Sequence, residues 1–282
     1  PPVITLSSQS SAAFKDETAI SVTTTNTGGT ATSFAIDPAL PAGLTFNTLT
    51  GAITGTPTVL QALTEHTITA SNLGGTSSKK FTLSVKLSCA AGGDCSVGDI
   101  APGGGKVVYV NQAGFACGVD LTSTCHYMEA APQTWSGGSA DPGESAYGTK
   151  MALAGRTVLT QDTQTYTIGY GEYNTDLLVS AVGNYSTNPC AANHAAAYIS
   201  NYKGVSLDDW YLPNRTEMET VKNAGLTGIW ALTGGRYWIS TQLAGYMTEG
   251  GEANYLWAVG NTQSSRGIGA TIGNSTRAVR TF

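Results

Sequence analysis

Basic charge is scarce in this sequence. Fourteen Lys and Arg stand against nineteen Asp and Glu among 282 residues, a net charge of -5. Phosphate binding needs a basic surface, so nucleic acid is excluded as a partner. Charge of either sign is low, at 12% of residues, while Gly, Thr, Ser and Asn abound. That balance suits β-rich extracellular chains with many turns. No apolar run approaches the roughly 20 residues of a membrane-spanning helix. There is no Cys-x-x-Cys, and His66, His126 and His194 stand far apart, so neither a metal site nor a cofactor is expected. The chain opens on Pro1-Pro2 without Met or a charged-then-apolar leader, which predicts a processed product or a piece of something longer.

Other absences are local. Residues 1–88 hold no Tyr and no Trp, and Phe is their only aromatic. They carry four Lys against four acidic residues, net zero, whereas residues 89–282 carry ten basic against fifteen acidic groups, net -5. Two domains with different cores, 1–88 and 97–282, follow from this split, with 89–96 as a Gly-rich hinge. The five cysteines all lie after Ser88. Cys89 and Cys95 bracket the hinge turn and Cys117 and Cys125 bracket a short loop, so two local disulfides in an oxidising compartment are expected. Cys190 is left over at a helix start. Its expected state is an inert buried thiol, with a bridge to Cys95 or another partner as the alternative.

In residues 1–88, short segments alternate Thr or Ser with apolar residues between turn signals. Ala19–Val22, Thr67–Ala70 and Phe81–Val85 read most clearly as strands. Asn26-Thr27-Gly28-Gly29-Thr30 is echoed at Asn72-Leu73-Gly74-Gly75-Thr76, which reads as one turn used at successive positions of a repeated module. The run Leu40-Pro41-Ala42-Gly43-Leu44 through Thr50-Gly51-Ala52-Ile53-Thr54-Gly55-Thr56-Pro57 carries a specific pattern. It resembles the He-PIG-type immunoglobulin-like repeat of bacterial surface proteins. The resemblance implies an all-β Ig-like sandwich acting as a spacer.

The later part is organised around Asp208-Asp209-Trp210-Tyr211-Leu212-Pro213-Asn214-Arg215-Thr216-Glu217. Pro213 keeps Leu212 out of the helical region, Asn214 can cap the helix that follows, and Glu217 completes a variant capping box. Extended chain therefore turns sharply into a helix, with Trp-Tyr-Leu buried at the corner. Asp208 and Asp209 read as a solvated turn. Further helices are expected over Asn174–Val182 and Ala191–Tyr202, and strands over Val107–Val110, Tyr237–Thr241, Tyr255–Val259 and Arg277–Phe282. The Gly103–Gly105 cluster precedes a strand and reads as a tight turn rather than a phosphate loop.

These motifs occur in one order, from Gly98-Asp99 and Pro102–Val110 through Glu129–Pro132, Ile168–Gly171, Asn174-Thr175 and the Trp210–Glu217 corner to Arg277–Arg280. The set resembles the C-terminal domain of bacterial collagen-like adhesins, the Lcl C-terminal type, over residues 97–282. That resemblance implies an α+β C-type-lectin-like domain, pairing of its first and last strands (Val107–Val110 with Ala278–Phe282), and a homotrimer. The additional Cys pairs depart from that family, as does Ile239, where it tends to have Ser.

A calcium-dependent sugar site would need clustered Asn, Asp and Glu oxygens, and the Glu-Pro-Asn and Trp-Asn-Asp signatures are absent. Glu129 and Glu217 are nominal acid–base candidates, and His126 beside Cys125 is a nominal dyad. Neither has the context of a catalytic site, and no enzyme is expected. Loops on a rigid scaffold usually carry recognition, and Tyr and Trp give contact area at low entropic cost. The candidate ligand-binding residues are therefore Tyr246, Glu249, Glu252, Asn254, Tyr255, Trp257 and Arg266. The reading is a bacterial cell-surface or secreted adhesin fragment that binds a glycan or surface protein. Alternatives are a virion receptor-binding or diversified protein on the same fold, and an enzyme of the formylglycine-generating type built on Cys190.

Overall fold

The computed structural model describes residues 1–138, 141–144, 167–182, 190–226, 236–242, 256–260, 264–265 and 274–282. The chain divides into two compact units, Pro1–Asp94 and Cys95–Phe282, a boundary that falls within residues 89–96.

In the first unit the strands are β1 (Ile4–Leu6), β2 (Ser10–Phe14), β3 (Ile20–Val22), β4 (Thr24–Asn26), β5 (Ser33–Asp37), β6 (Leu44–Phe46), β7 (Ile53–Gly55), β8 (Gln61–Asn72) and β9 (Gly75–Lys86). They form a four-stranded sheet in the order β2-β9-β8-β5, a three-stranded sheet β3-β7-β6 and the pair β1-β4. Side chains alternate across a strand. His66, Ile68 and Ala70 of β8 and Phe81, Leu83 and Val85 of β9 accordingly point inward, while their Thr and Lys neighbours stay outside. Ile20, Val22 and Ile53 close the core from the other sheet. His66 is fully buried and satisfied, with Nδ1 2.7 Å from the Pro38 carbonyl it donates to and Nε2 3.0 Å from the Gln61 amide.

Two of the glycines in the Leu40–Pro57 run have a steric reason. Gly43 has φ +91°, and a Cβ there would lie 2.1 Å from the Thr56 carbonyl oxygen. A Cβ on Gly55 would lie 2.2 Å from the Gly43 oxygen. Backbone meets backbone at both positions, so no side chain fits. The echoed turns share one device: Asn26 Oδ1 accepts from Gly28 N at 3.0 Å, and Asn72 Oδ1 from Gly74 N at 2.8 Å. Both lie in one unit, and Asn72 Nδ2 donates to Thr30 O at 3.0 Å. The echo is thus one Asx-turn chemistry used twice within one unit.

The second unit contains β10 (Lys106–Cys117), β11 (Ser123–Ala130), β12 (Gly143–Glu144), α1 (Tyr170–Val182), α2 (Ala191–Ala196), β13 (Ser200–Tyr202), β14 (Val205–Leu207), α3 (Arg215–Asn223), β15 (Arg236–Gln242), β16 (Leu256–Gly260), β17 (Ser264–Ser265), β18 (Asn274–Ser275) and β19 (Val279–Thr281). Its described sheets are β10-β11-β19, β12-β18-β15-β16-β17 and the hairpin β13-β14. Two expectations need correction. The first and last strands do not pair with each other: β10 and β11 form a long antiparallel hairpin, and β19 adds to the free edge of β11. The second helix stops at Ala196 instead of reaching Tyr202. Lys203 and Gly204, both at positive φ, turn the chain back so that Ser200–Tyr202 pairs with Val205–Leu207, leaving Ile199 55% exposed.

Among the described residues two apolar clusters fill this unit, and β15 feeds both. Trp238 packs with Trp135, Leu178, Ala191, Ala195, Trp210 and Leu212, whereas Tyr237 and Ile239 pack with Met128, Tyr211, Met218, Val221 and Val279. The Trp210–Leu212 segment divides its side chains between the same two clusters. Alternation on two extended segments, each buried on both faces, produces the arrangement.

Candidate functional site

The Asp208–Glu217 corner forms as its residue types dictate. Asn214 Oδ1 accepts from Glu217 N at 3.0 Å, and Glu217 Oε2 accepts from Asn214 N at 2.8 Å, the reciprocal bonds of a capping box. Glu217 does more than cap. Its Oε1 also accepts from Gly169 N at 2.7 Å, Gly171 N at 3.2 Å and the Tyr211 hydroxyl at 3.4 Å. The side chain is fully buried, and burial pushes its carboxyl up to about 7 against the opposing pull of these donors. Backbone bonds then fix the corner to both sheets. Tyr211 exchanges N–H···O bonds of 2.9 and 3.0 Å with Val279, while Ser240 N donates to Pro213 O at 2.8 Å. The Arg215 amide donates to Thr241 Oγ1 at 3.0 Å.

Beside the corner lies a charge network that the sequence pattern hides. Arg280 donates from NH1 to Glu129 Oε1 at 2.8 Å and from Nε to Asp209. Glu129 is fully buried and also accepts from Gly103 N at 3.1 Å, so the Gly103–Gly105 turn clasps a carboxylate of its own chain. Burial raises the Glu129 carboxyl, and Arg280 with the Gly103 and Gly105 amides pulls it back. Glu172, on the first turn of α1, is raised to about 7 by burial and then by Asp209, with Arg280 opposing. Asp208 stays exposed, as a solvated turn residue should, but the Asp209 side chain, 42% exposed, is half of an ion pair.

A second node centres on Asp141. Its carboxylate is 2.6 Å from Arg277 Nε and accepts from Arg277 NH2 at 2.6 Å, the Tyr237 hydroxyl at 2.7 Å and Trp135 Nε1 at 3.2 Å. Arg277 is fully buried and donates again to Ala131 O at 2.9 Å. Burial and the Asp141 charge both raise the Tyr237 hydroxyl pKa. These nodes carry buried charge in closed pairs, which fixes geometry. Glu129 and Glu217, nominated as acid and base, are each held by backbone amides, Glu129 within the Arg280 network and Glu217 within the capping corner.

Among the described residues no group of three or more His, Cys, Asp or Glu has the arrangement of a metal site. Cys117 and Cys125 form a disulfide across the β10–β11 hairpin, with Cα atoms 6.0 Å apart. Cys89 and Cys95 are disulfide-bonded too. Cys190 is buried, outside any disulfide, at the N-cap of α2, so a bridge to Cys95 is ruled out. His126 Nδ1 lies 3.3 Å from Asn111 O, within the β10–β11 hairpin.

Of the candidate ligand-binding residues, Tyr246, Glu249, Glu252, Asn254, Tyr255 and Arg266 lie outside the described residues. Trp257 belongs to β16, but its side chain lies outside them. By chain position, residues 243–255 join β15 to β16 and residues 266–273 join β17 to β18.

Residues 1–86 match the family model He_PIG, described as "Putative Ig domain". The first unit is Ig-like. No curated protein matches the chain. Among solved structures, a "putative alpha-galactosidase" from Bacteroides fragilis is 24% identical over 30% of this chain and 18% of its own, with a TM-score of 0.25. The titin M3 domain is 15% identical over 29% of this chain and 95% of its own, with a TM-score of 0.23. A chimeric titin Z1Z2 carrying a decorin peptide is 14% identical over 31% of this chain and 98% of its own, again with a TM-score of 0.23. The chain thus spans under a fifth of that Bacteroides fragilis protein. The Ig-like unit and the disulfides are compatible with an extracellular protein, and no described helix is long and apolar enough to cross a membrane.

Proposed function

We propose that this chain is a fragment of a bacterial cell-surface or secreted adhesin. Its Ig-like unit acts as a spacer, and a C-type-lectin-like second unit binds a glycan or a surface protein. The observation that supports this reading best is the fixed sheet scaffold of the second unit. The corner and its charge networks are locked by buried bonds, while the segments carrying Tyr246, Tyr255 and Arg266 connect strands of the sheet held by that corner. Recognition residues on a fixed scaffold lose little entropy on binding.

Glycan and surface-protein arrays test the reading. We expect a signal that Tyr246→Ala, Tyr255→Ala and Arg266→Ala each reduce while far-UV circular dichroism stays unchanged. A signal indifferent to all three substitutions, or none at all, removes the proposal. The homotrimer belongs to the same reading, and light scattering of the purified chain checks it.

A further inference from the structure

We propose that Asn174, Ser240 and Thr276 converge on an internal hydration site, where a bound water joins α1 to β15 and to the chain that follows β18. Buried polar atoms nearly always find a partner, because one left without bears the full desolvation cost of its group. These three residues are each 0% exposed. Yet Asn174 Oδ1 and Nδ2, Ser240 Oγ and Thr276 Oγ1 bond to no protein atom.

The fold brings the four atoms to one layer. Asn174 lies one turn before Leu178 and shares its face of α1, and Leu178 belongs to the Trp238 cluster. Ser240 stands two residues after Trp238 on β15, so it shares the Trp238 face. Tyr237 pairs with Ser275 in parallel register, which carries Thr276 alongside Trp238. Ala278, two residues on, joins the same cluster. The corner also ties the first two residues together. Thr175 Oγ1 accepts from Leu212 N at 3.1 Å, and Ser240 N donates to Pro213 O at 2.8 Å. Asn174, the neighbour of Thr175, and Ser240 therefore flank consecutive residues of one segment.

The available atoms select the guest. Asn174 offers two N–H donors and a carbonyl acceptor, and each hydroxyl can donate or accept. None of the three side chains is charged. A cation would leave the Asn174 N–H groups unpaired, and an anion would leave its carbonyl unpaired. Either ion would also lose its hydration in a wholly buried site without a counter-charge. Water carries two donors and two acceptors, and a buried water makes about three bonds to groups that otherwise lack them. Three side chains from three segments meet that requirement. Residues 243–255 leave from β15 and residues 266–273 lead into β18, so the water braces α1 against the strands that carry both connections. This inference is independent of the adhesin reading.

Oxygen-17 relaxation dispersion of the solvent counts long-lived internal waters without a contribution from labile protein hydrogens. In the full chain, Asn174→Leu keeps the branched shape and removes both polar atoms. It is expected to lower the dispersion amplitude by the equivalent of one water per molecule. Asn201→Leu, at an exposed position of β13, is expected to keep the wild-type amplitude. An unchanged amplitude in Asn174→Leu, or equal losses in both variants, overturns the proposal. If Asn174→Leu does not fold, a crystal structure of the wild-type chain decides. A solvent peak within hydrogen-bond distance of both Asn174 and Ser240 supports the site, and a direct bond between their side chains refutes it. Loss of array binding would remove the adhesin reading and leave these amplitudes unaffected.

Discussion

Arg280 has a side chain that is only 9% exposed and faces two carboxylates, Glu129 and Asp209. Removing one member of a buried pair strands the other without compensation, at about 3–5 kcal/mol. Arg280→Met should therefore lower the urea midpoint of the second unit by a corresponding amount, and Arg280→Met with Glu129→Leu should recover much of it. Tryptophan emission reads this transition without interference, because every Trp lies after residue 88. The raised carboxyls make a pH prediction of unusual sign. Glu172 and Glu217 stand at about 7 in the folded chain against an ordinary 4.5, so the folded state holds these protons more tightly than the unfolded state. Their stabilising contribution is complete below 4.5 and is lost as pH rises through about 7. The second unit should accordingly be more stable at about pH 5 than at about pH 8, and Glu172→Gln should flatten that dependence. A midpoint that rises with pH across this range would contradict the assignment.

At the scale of elements, the corner carries the sharpest expectations. Asn214→Ala removes a cap worth about 1–2 kcal/mol, together with the 2.6 Å bond from Asn214 Nδ2 to Thr167 O. Trp210→Ala should cost about 3–5 kcal/mol, since the ring is 2% exposed within the Trp238 cluster. Both losses should appear in denaturation midpoints and not as altered ligand choice. Replacing Cys117 and Cys125 with Ser frees a short loop and should cost about 2–3 kcal/mol in the same assay. The corner was legible in the sequence because capping, proline restriction and alternation are local chemistry, read within ten residues. The end of α2 was not: the apolar spacing of Ala195, Tyr198, Ile199 and Tyr202 mimics a helix, and the turn at Lys203-Gly204 overrules it. The edge of β11 that receives β19 was hidden for a different reason, since pairing across 151 residues depends on which edge stays free. The sequence pattern places Arg277 and Arg280 on a strand and does not indicate their partners. Their partners Asp141 and Glu129 come from 136 and 151 residues away, a separation that local spacing cannot signal.

The whole molecule joins a nearly neutral Ig-like unit without Tyr or Trp to an acidic unit that holds all of them. The two carry separate cores, so two unfolding transitions are expected. Tryptophan emission should follow the second unit alone, and far-UV circular dichroism should report both. Coincident curves from the two probes would show that the units unfold as one. The change in composition falls after residue 88, close to the boundary between the two compact units. The residues nominated for recognition fall in segments whose placement no local rule dictates, and there the sequence offered residue chemistry without geometry.

The close approach at Gly43 and Gly55 carries a consequence for sequence drift. A side chain at Gly55 would enter space that the Gly43 carbonyl fills, and one at Gly43 would meet the carbonyl of Thr56, the neighbour of Gly55. In a lineage of such units neither position can acquire a side chain without moving the loop that holds its partner, so the two are constrained jointly. Leu49 and Leu73, at 76% and 107% exposure, meet no such barrier and are free to diverge. A repeat that changes nearly everywhere can therefore keep this one backbone crossing as its signature.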